Sequence, residues 1–254
     1  DPVTREVRLL KITPGPGRNA ALITRSTGWP LAALAAKLQV GVELRELSLA
    51  GDPAAPGYIT VRLPRFDQDK FPTADPALNT KMKSVGEVMA VGGNFKEAFQ
   101  KGLRGLGAGW LGFGTAGVGE DITQLTALCV KERLANPTPS FYSDLYTALK
   151  MGISIEEIGL LTRIDSWFLK ECADLRAFEK KLMTYALYNL PLEVVETAKV
   201  YGFSNEQLAQ ILRVSETEIR EALQKKGVRP VFQPIRPAPN ILTGYFITYD
   251  TAGR

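Results

Sequence analysis

The segment from Thr13 to Asn19, Thr-Pro-Gly-Pro-Gly-Arg-Asn, carries the residues best suited to binding a small anion. Gly15 and Gly17 let the backbone approach a phosphate, and the first N–H groups of a following helix donate to it. Arg18 adds a two-pronged guanidinium contact and is therefore the candidate catalytic residue. The alternative is a turn from a strand to a helix with a solvated arginine, and the local sequence favours this simpler interpretation.

A second candidate is the glycine-rich stretch over residues 105–119, which contains two overlapping G-x-G-x-x-G matches, Gly107–Gly112 and Gly112–Gly117. Such a motif binds a dinucleotide when a strand precedes it and a helix follows directly. Here a helical pattern precedes it. We therefore interpret the stretch as a loop or linker.

Composition removes several kinds of chemistry. The 254 residues include no histidine, which excludes His-based triads, His-ligated zinc and His acid–base pairs. Cys129 and Cys172 form no C-x-x-C pair, so we predict a reducing compartment and no cysteine metal site. Carboxylates, Lys, Arg, hydroxyls and backbone amides remain.

Charge and hydropathy are weaker guides. Lys and Arg total 31 against 27 acids, a net charge of +4, which fits ordinary solubility, a phosphate-bearing ligand or a nucleic acid. No apolar run approaches the ~20 residues that span a bilayer, and the first residues contain no apolar signal-peptide core. We expect no membrane partner and a location in the cytoplasm or an organelle matrix.

The elements that would position these residues fall into two parts. The first part predicts an α/β unit: strands over residues 5–12, 58–63 (ended by Pro64) and 83–91, and helices from 18 to 27, 31 to 38 and 95 to 103. After residue 120 the pattern is helical. Three sequences there predict helix N-caps, beginning at Ser154, Ser204 and Ser215.

The helical part also contains an internal repeat. Residues 153–169 align without gaps to residues 203–219, with coinciding apolar positions and Arg163 matching Arg213. Each copy predicts a capped helix, a short turn and a second helix. The second copy also suits a DNA-binding helix-turn-helix, but Glu216 and Glu218 would repel phosphates where base contacts begin. A packing hairpin is the favoured interpretation, and nucleic acid is not an expected partner.

Other conspicuous side chains are assigned to structure. The charged runs Lys96-Glu97 and Glu179-Lys180-Lys181 predict solvated helix faces. Trp29, Trp110 and Trp167 are predicted to lie in the core. Asp165 is predicted to cap the helix that follows it.

The segment Met82-Lys-Ser-Val-Gly-Glu-Val-Met89 resembles a hallmark of the carbamoyl phosphate synthetase large subunit. Further segments follow in that family's order: residues 61–66, 95–104, 161–169, 202–204 and 227–231. The resemblance implies an α+β fold. Residues 1–118 would be the final part of the first ATP-grasp module, and residues 119–254 a helical oligomerisation domain with a duplicated helix-turn-helix unit and a C-terminal extension.

That family ligates bicarbonate and ammonia to carbamoyl phosphate with ATP and Mg²⁺. Its metal loop reads Glu-x-Asn-Pro-Arg-x-Ser-Arg, and this chain departs from it: the ligand positions hold Lys11 and Thr13, and the first Arg position holds Gly15. A lysine ammonium repels Mg²⁺, although it can pair with a phosphate as a point charge. We therefore expect a degenerate loop with no metal, formed by Lys11, Gly15, Gly17 and Arg18.

The resemblance implies a chain that is a fragment or one partner of a split protein, because the ATP-clasping part of the module is missing. Its expected role is scaffolding and subunit association, with itself, with other parts of the synthetase or with a glutamine amidotransferase subunit. Two alternatives stay open. One is a competent synthetase whose anion loop uses Lys11 and Arg18, and the other is a nucleic-acid-binding module.

Overall fold

A computed structural model describes residues 19–27, 29–47, 57–66, 75–79, 81–107, 109–115, 125–235 and 244–249, with isolated positions at 9, 12, 15, 17 and 73. The described elements form an α+β protein in which helices dominate, which confirms the predicted class. Most of the predicted strand over residues 5–12 lies outside the described residues.

The first part contains α1 (Ala20–Thr27), α2 (Leu31–Gln39), β1 (Ile59–Arg65), β2 (Gly86–Gly92) and α3 (Phe95–Gly105). The two strands pair antiparallel, and α3 packs across both. The prediction that Pro64 ends β1 is wrong, because the strand continues to Arg65. In a two-stranded sheet each strand is an edge, where a proline costs no ladder bond if its nitrogen faces away from the partner.

The second part is helical up to Lys225, as predicted, and two strands that were not predicted from the sequence follow it. Its described helices are α4 (Ala127–Ala135), α5 (Phe141–Met151), α6 (Ile155–Thr162), α7 (Ser166–Leu182), α8 (Leu192–Val200), α9 (Asn205–Leu212) and α10 (Glu216–Lys225). A short 3₁₀ helix, Leu187–Asn189, joins α7 to α8. Among the described residues, no helix is long and apolar enough to cross a membrane.

The two copies of the repeat have the same local geometry. Ser154 and Ser204 cap α6 and α9 by accepting from the backbone N–H three residues on, at 3.2 and 3.0 Å. Each helix ends at an arginine in the left-handed conformation, Arg163 with φ 60° and Arg213 with φ 58°. The turn is thus the same structural unit used twice, with α7 and α10 as the second helices.

One hydrophobic core joins the two parts of the chain. Leu63 of β1 and Leu103 of α3 belong to the same buried cluster as Val130, Leu175 and Leu208 of the helical part. The boundary predicted at residue 118 lies outside the described residues and remains a prediction.

Strands β3 (Val231–Ile235) and β4 (Gly244–Thr248) form a second antiparallel pair, the C-terminal sheet. Its Ile235 and Phe246 pack with Tyr58 and Val91 in a small separate cluster. The C-terminal sheet therefore covers part of the first unit instead of extending away from it.

Candidate functional site

The structure describes only the glycines of the predicted anion loop. Gly15 is exposed and has φ +81°, a conformation that favours glycine. Gly17 is exposed, and its carbonyl accepts from the N–H of Ala20 at 2.9 Å where α1 begins. Lys11 and Arg18 lie outside the described residues, so their roles remain predictions.

The glycine-rich stretch packs into the core where it is described. Phe113 is buried between the rings of Phe99 and Tyr146, with centroids 5.6 and 5.5 Å away. A Cβ at Gly112 would lie 2.4 Å from Gln100 Oε1 and 2.5 Å from Gln207 Oε1. The glycine thus makes room for two buried amides, which supports the loop interpretation over a nucleotide site.

Polar side chains of α3 and of Asn94, which caps it, bind the end of α8. Asn94 Nδ2, Gln100 Nε2 and Arg104 Nη1 donate at 3.0, 3.1 and 2.7 Å to three successive carbonyls, those of residues 200–202. These carbonyls lie at the C-terminal end of α8, where the helix leaves acceptors without internal partners. The guanidinium of Arg104 also complements the negative end of the helix dipole.

Glu97 connects α3 to the C-terminal sheet. Its carboxylate is 1% exposed and pairs with Lys101 Nζ at 2.7 Å. It also accepts from the N–H of Gly93 at 2.7 Å and from the Thr248 hydroxyl at 2.9 Å. Lys101 in turn donates to the carbonyl of Ile247 at 2.5 Å. Burial lowers the pKa of Lys101, and the Glu97 carboxylate opposes that shift. We call these contacts of α3 with α8 and β4 the α3 junction.

The prediction that Lys96-Glu97 and Glu179 lie on solvated faces is wrong, because all three side chains are buried. Glu97, Lys101 and Arg104 form a charged row at i, i+4 and i+7, which on a single helix is typical of a solvated face. No local signal reveals that Glu97 is buried and that Lys101 and Arg104 are half-buried, because distant residues of α8 and β4 cover them.

A second buried acid lies between α5 and α7. Glu179 Oε2 accepts from the Tyr146 hydroxyl at 2.7 Å and pairs with Arg176 Nη1 at 3.1 Å. Burial raises the pKa of Glu179, and Tyr146 and Arg176 oppose the shift. Within the described part of the chain, no group of three or more acidic or cysteine side chains fits a metal ion. Glu179 therefore holds α5 to α7, and Glu97 holds α3 to β4.

Lys199 is a buried cation beside the α3 junction. It is 5% exposed, and its Nζ donates to the Phe203 carbonyl at 2.8 Å and to Asn205 Oδ1 at 2.9 Å. Burial, with a smaller contribution from nearby Arg104, lowers the pKa of Lys199 to about 7.

This shift predicts a dependence of stability on pH. The unfolded chain holds the Lys199 proton up to the usual lysine pKa, whereas the folded chain releases it near pH 7. The unfolded state therefore binds more protons between about pH 7 and 10, and stability rises with pH in that window. We expect the unfolding free energy of wild type to rise relative to Lys199→Met by up to about 1.4 kcal/mol per pH unit. Urea unfolding of both proteins at several pH values measures this difference. The same dependence of the unfolding free energy on pH in both proteins would contradict the prediction.

An aromatic surface lies where α3 and α7 begin. Phe95 contacts Trp167 and Phe168 with centroids 5.3 and 5.4 Å apart, and Trp167 contacts Phe168 at 5.0 Å. Asp165 caps α7 as predicted, since its carboxylate accepts from the N–H of Trp167 at 2.8 Å. The prediction that Trp167 is a core residue is wrong: Trp167 is 50% exposed and Phe168 is 45% exposed. We call Phe95, Trp167 and Phe168 the aromatic surface.

Comparison with known proteins identifies the family. The sequence profile of the carbamoyl-phosphate synthetase large chain, oligomerisation domain, matches residues 87–227. Relatives include the carbamoyl phosphate synthase large chains of Thermotoga neapolitana and Archaeoglobus fulgidus, each 38% identical over 245 residues. The arginine-specific, chloroplastic large chain of Arabidopsis thaliana is 37% identical over 246 residues.

These matches cover 92% of this chain but only 21%, 22% and 20% of the respective relatives. The chain thus spans about a fifth of the length of the large chains that it resembles. The profile takes in most of β2, the contacts of α3 with α8, the aromatic surface and both copies of the repeat, whereas β4 lies beyond it. The chain belongs to the carbamoyl-phosphate synthetase large-chain family and contains its oligomerisation domain.

Proposed function

We propose that this chain is a structural segment of a carbamoyl-phosphate-synthetase-like large subunit and mediates subunit association through the aromatic surface. The supporting observation comes from the repeat. Trp167 and Phe168 correspond, at the offset of 50 residues, to Thr217 and Glu218. Both pairs occupy the first turn of a second helix, after a capping residue. One copy has polar residues there and the other has two large aromatic rings.

The contrast supports an interface, because the fold itself does not require apolar residues at these positions. The second copy forms the same turn with a threonine and a glutamate, so local folding does not explain the tryptophan and phenylalanine. Contiguous exposed apolar groups on a protein surface mark interaction sites. Aromatic side chains are also enriched at the centres of protein interfaces.

The repeat supplies the matched variant that tests this role. Trp167→Thr with Phe168→Glu gives the first copy the residues of the second, and a glutamate in the first helical turn suits the helix dipole. We expect wild type to associate reversibly and the double variant to dissociate at least about tenfold more readily, because two half-exposed rings lose their burial. Sedimentation equilibrium over a range of concentrations measures the change.

Tyr188→Ser is the control, because Tyr188 is highly exposed on the 3₁₀ helix and belongs to neither copy's second helix. Circular dichroism confirms that each variant is folded, and Trp167→Thr alone leaves the Phe95–Phe168 contact in place. A strict monomer at high wild-type concentration, or equal association of all variants, would reject the proposal.

The predicted anion loop and its binding of Mg·ATP depend on Lys11 and Arg18, which the structure does not describe. A degenerate metal loop predicts that an assembly containing Lys11 and Arg18 binds Mg·ATP weakly. Tight, Mg-dependent binding that Lys11→Ala abolishes would favour the competent-synthetase alternative. Location in the cytoplasm or an organelle matrix also stays a prediction, and the Arabidopsis relative is named as chloroplastic.

A further inference from the structure

The C-terminal sheet has two faces of different exposure. Phe232 lies opposite Ile247 and Pro234 opposite Tyr245. Because side chains alternate along a strand, these four share one face, which we call the outer face. Phe232, Tyr245 and Ile247 on it are 70%, 60% and 50% exposed.

The inner face is already used by this chain. Ile235 and Phe246 are buried, and Phe246 contacts the Tyr58 ring with centroids 6.0 Å apart. Thr248 donates to Glu97 at 2.9 Å. These contacts hold the inner face of the sheet against the first part of the chain. The outer face therefore lies on the opposite side of the sheet.

If water covers the outer face, nothing in this fold requires its side chains to be apolar. A solvated face of an antiparallel sheet normally alternates polar residues against a buried apolar face. Single exposed apolar residues are ordinary, but adjacent ones on one face form a patch of the kind that marks an interaction site. Two-stranded sheets are also marginal by themselves and gain stability when packed.

The extent of the family match bears on the choice of occupant. The oligomerisation profile ends at residue 227, and β3 begins at Val231, so the C-terminal sheet lies outside the matched domain. About four-fifths of each large-chain relative lies outside its match to this chain. The large chain thus offers extensive further surface to which a sheet beyond the oligomerisation domain can attach.

We propose that the outer face packs against an apolar surface in another part of the same synthetase large chain, and not against a second copy of this chain. This assigns the aromatic surface to association between subunits and the outer face to contact within one subunit. The inference rests on the part of the proposed function that makes this chain a segment of a large subunit, and it holds whether or not the aromatic surface mediates association.

Thiol labelling of single cysteine variants tests the inference. Phe232→Cys and, separately, Tyr245→Cys are made with Cys129→Ser, which leaves Cys172 buried. Each is placed in this chain and in the full-length large chain that carries this segment. Gln224→Cys, on the exposed part of α10, is the reference, and Phe246→Cys reports the buried inner face. Maleimide labelling rates are read by peptide mass spectrometry at several protein concentrations.

We expect the Phe232→Cys thiol to label at the reference rate in this chain and at least about tenfold more slowly in the full-length large chain, because packing removes access. Equal rates in both contexts would overturn the inference. Protection in this chain that disappears on dilution would also overturn it, by showing a second copy as the occupant. The labelling rates are measured on individual large chains. The result of this test therefore does not depend on whether the aromatic surface mediates association.

Discussion

Replacing Gly202 with alanine is expected to destabilise the fold by roughly 3 kcal/mol, through backbone strain and overpacking together. Gly202 has φ +85°, a conformation that alanine adopts at a cost. An added Cβ would lie 2.7 Å from Glu97 Cα and 3.2 Å from the Glu97 carbonyl oxygen. The backbone of α3 cannot yield there without disturbing the α3 junction, so we expect a lower urea midpoint with an unchanged slope.

The repeat provides a control for backbone strain alone. Gly152 directly precedes the first copy as Gly202 directly precedes the second; it has φ +81°, and a Cβ there meets nothing within 4 Å. Gly152→Ala should therefore cost only about 1 kcal/mol. Equal destabilisation by the two substitutions would show that the close approach of α3 contributes nothing to stability.

Removal of the Glu97 carboxylate should have the second large effect. Glu97→Ala leaves Lys101 near the interior without its anion and leaves the N–H of Gly93 without its acceptor. Breaking a buried ion pair from one side costs about 3–5 kcal/mol. We expect Glu97→Ala to lower the unfolding free energy by an amount in this range and to loosen the C-terminal sheet, since Thr248 also loses its acceptor. Hydrogen exchange of β4 amides measures the loosening.

Glu171→Gln is the matched comparison for Glu97. Glu171 pairs with Lys96 at 3.0 Å, but Lys96 also contacts Asp174 at 3.1 Å, so one acid remains. We expect Glu171→Gln to lower the unfolding free energy by at most about 1 kcal/mol, which is the usual range for a partly exposed ion pair. If Lys101→Met restores the stability lost in Glu97→Ala, the loss came from the stranded cation. If it restores nothing, that explanation is wrong.

Local rules predicted much of the secondary structure. The serines at the starts of α6, α9 and α10 cap their helices because a hydroxyl satisfies an N–H that the helix leaves free. Asp165 does the same for α7. The left-handed conformation of the arginines at the turns could not be predicted by local rules, because a left-handed non-glycine residue carries no clear sequence signature.

The candidate sites were predicted less completely. The anion loop stays a prediction made from its glycines and Arg18, and the α3 junction was missed because its charged residues have ordinary helical spacing. Trp167 was placed in the core because large aromatic residues are usually well buried. Its half-exposure depends on which helices pack beside α7, and that is a property of the tertiary arrangement.

The sequence by itself determined the family, the repeat and the positions of most helices, because caps, turns and apolar spacing are local properties. It also excluded histidine chemistry, since no histidine is present. Only the tertiary structure decided which charges are buried. Glu97 and Lys199 lie more than 100 positions apart in the sequence, and both become buried because α3, α8 and β4 meet. Burial arises from contacts between distant segments, so a charged row that reads as solvent-facing can become the junction that holds the fold together.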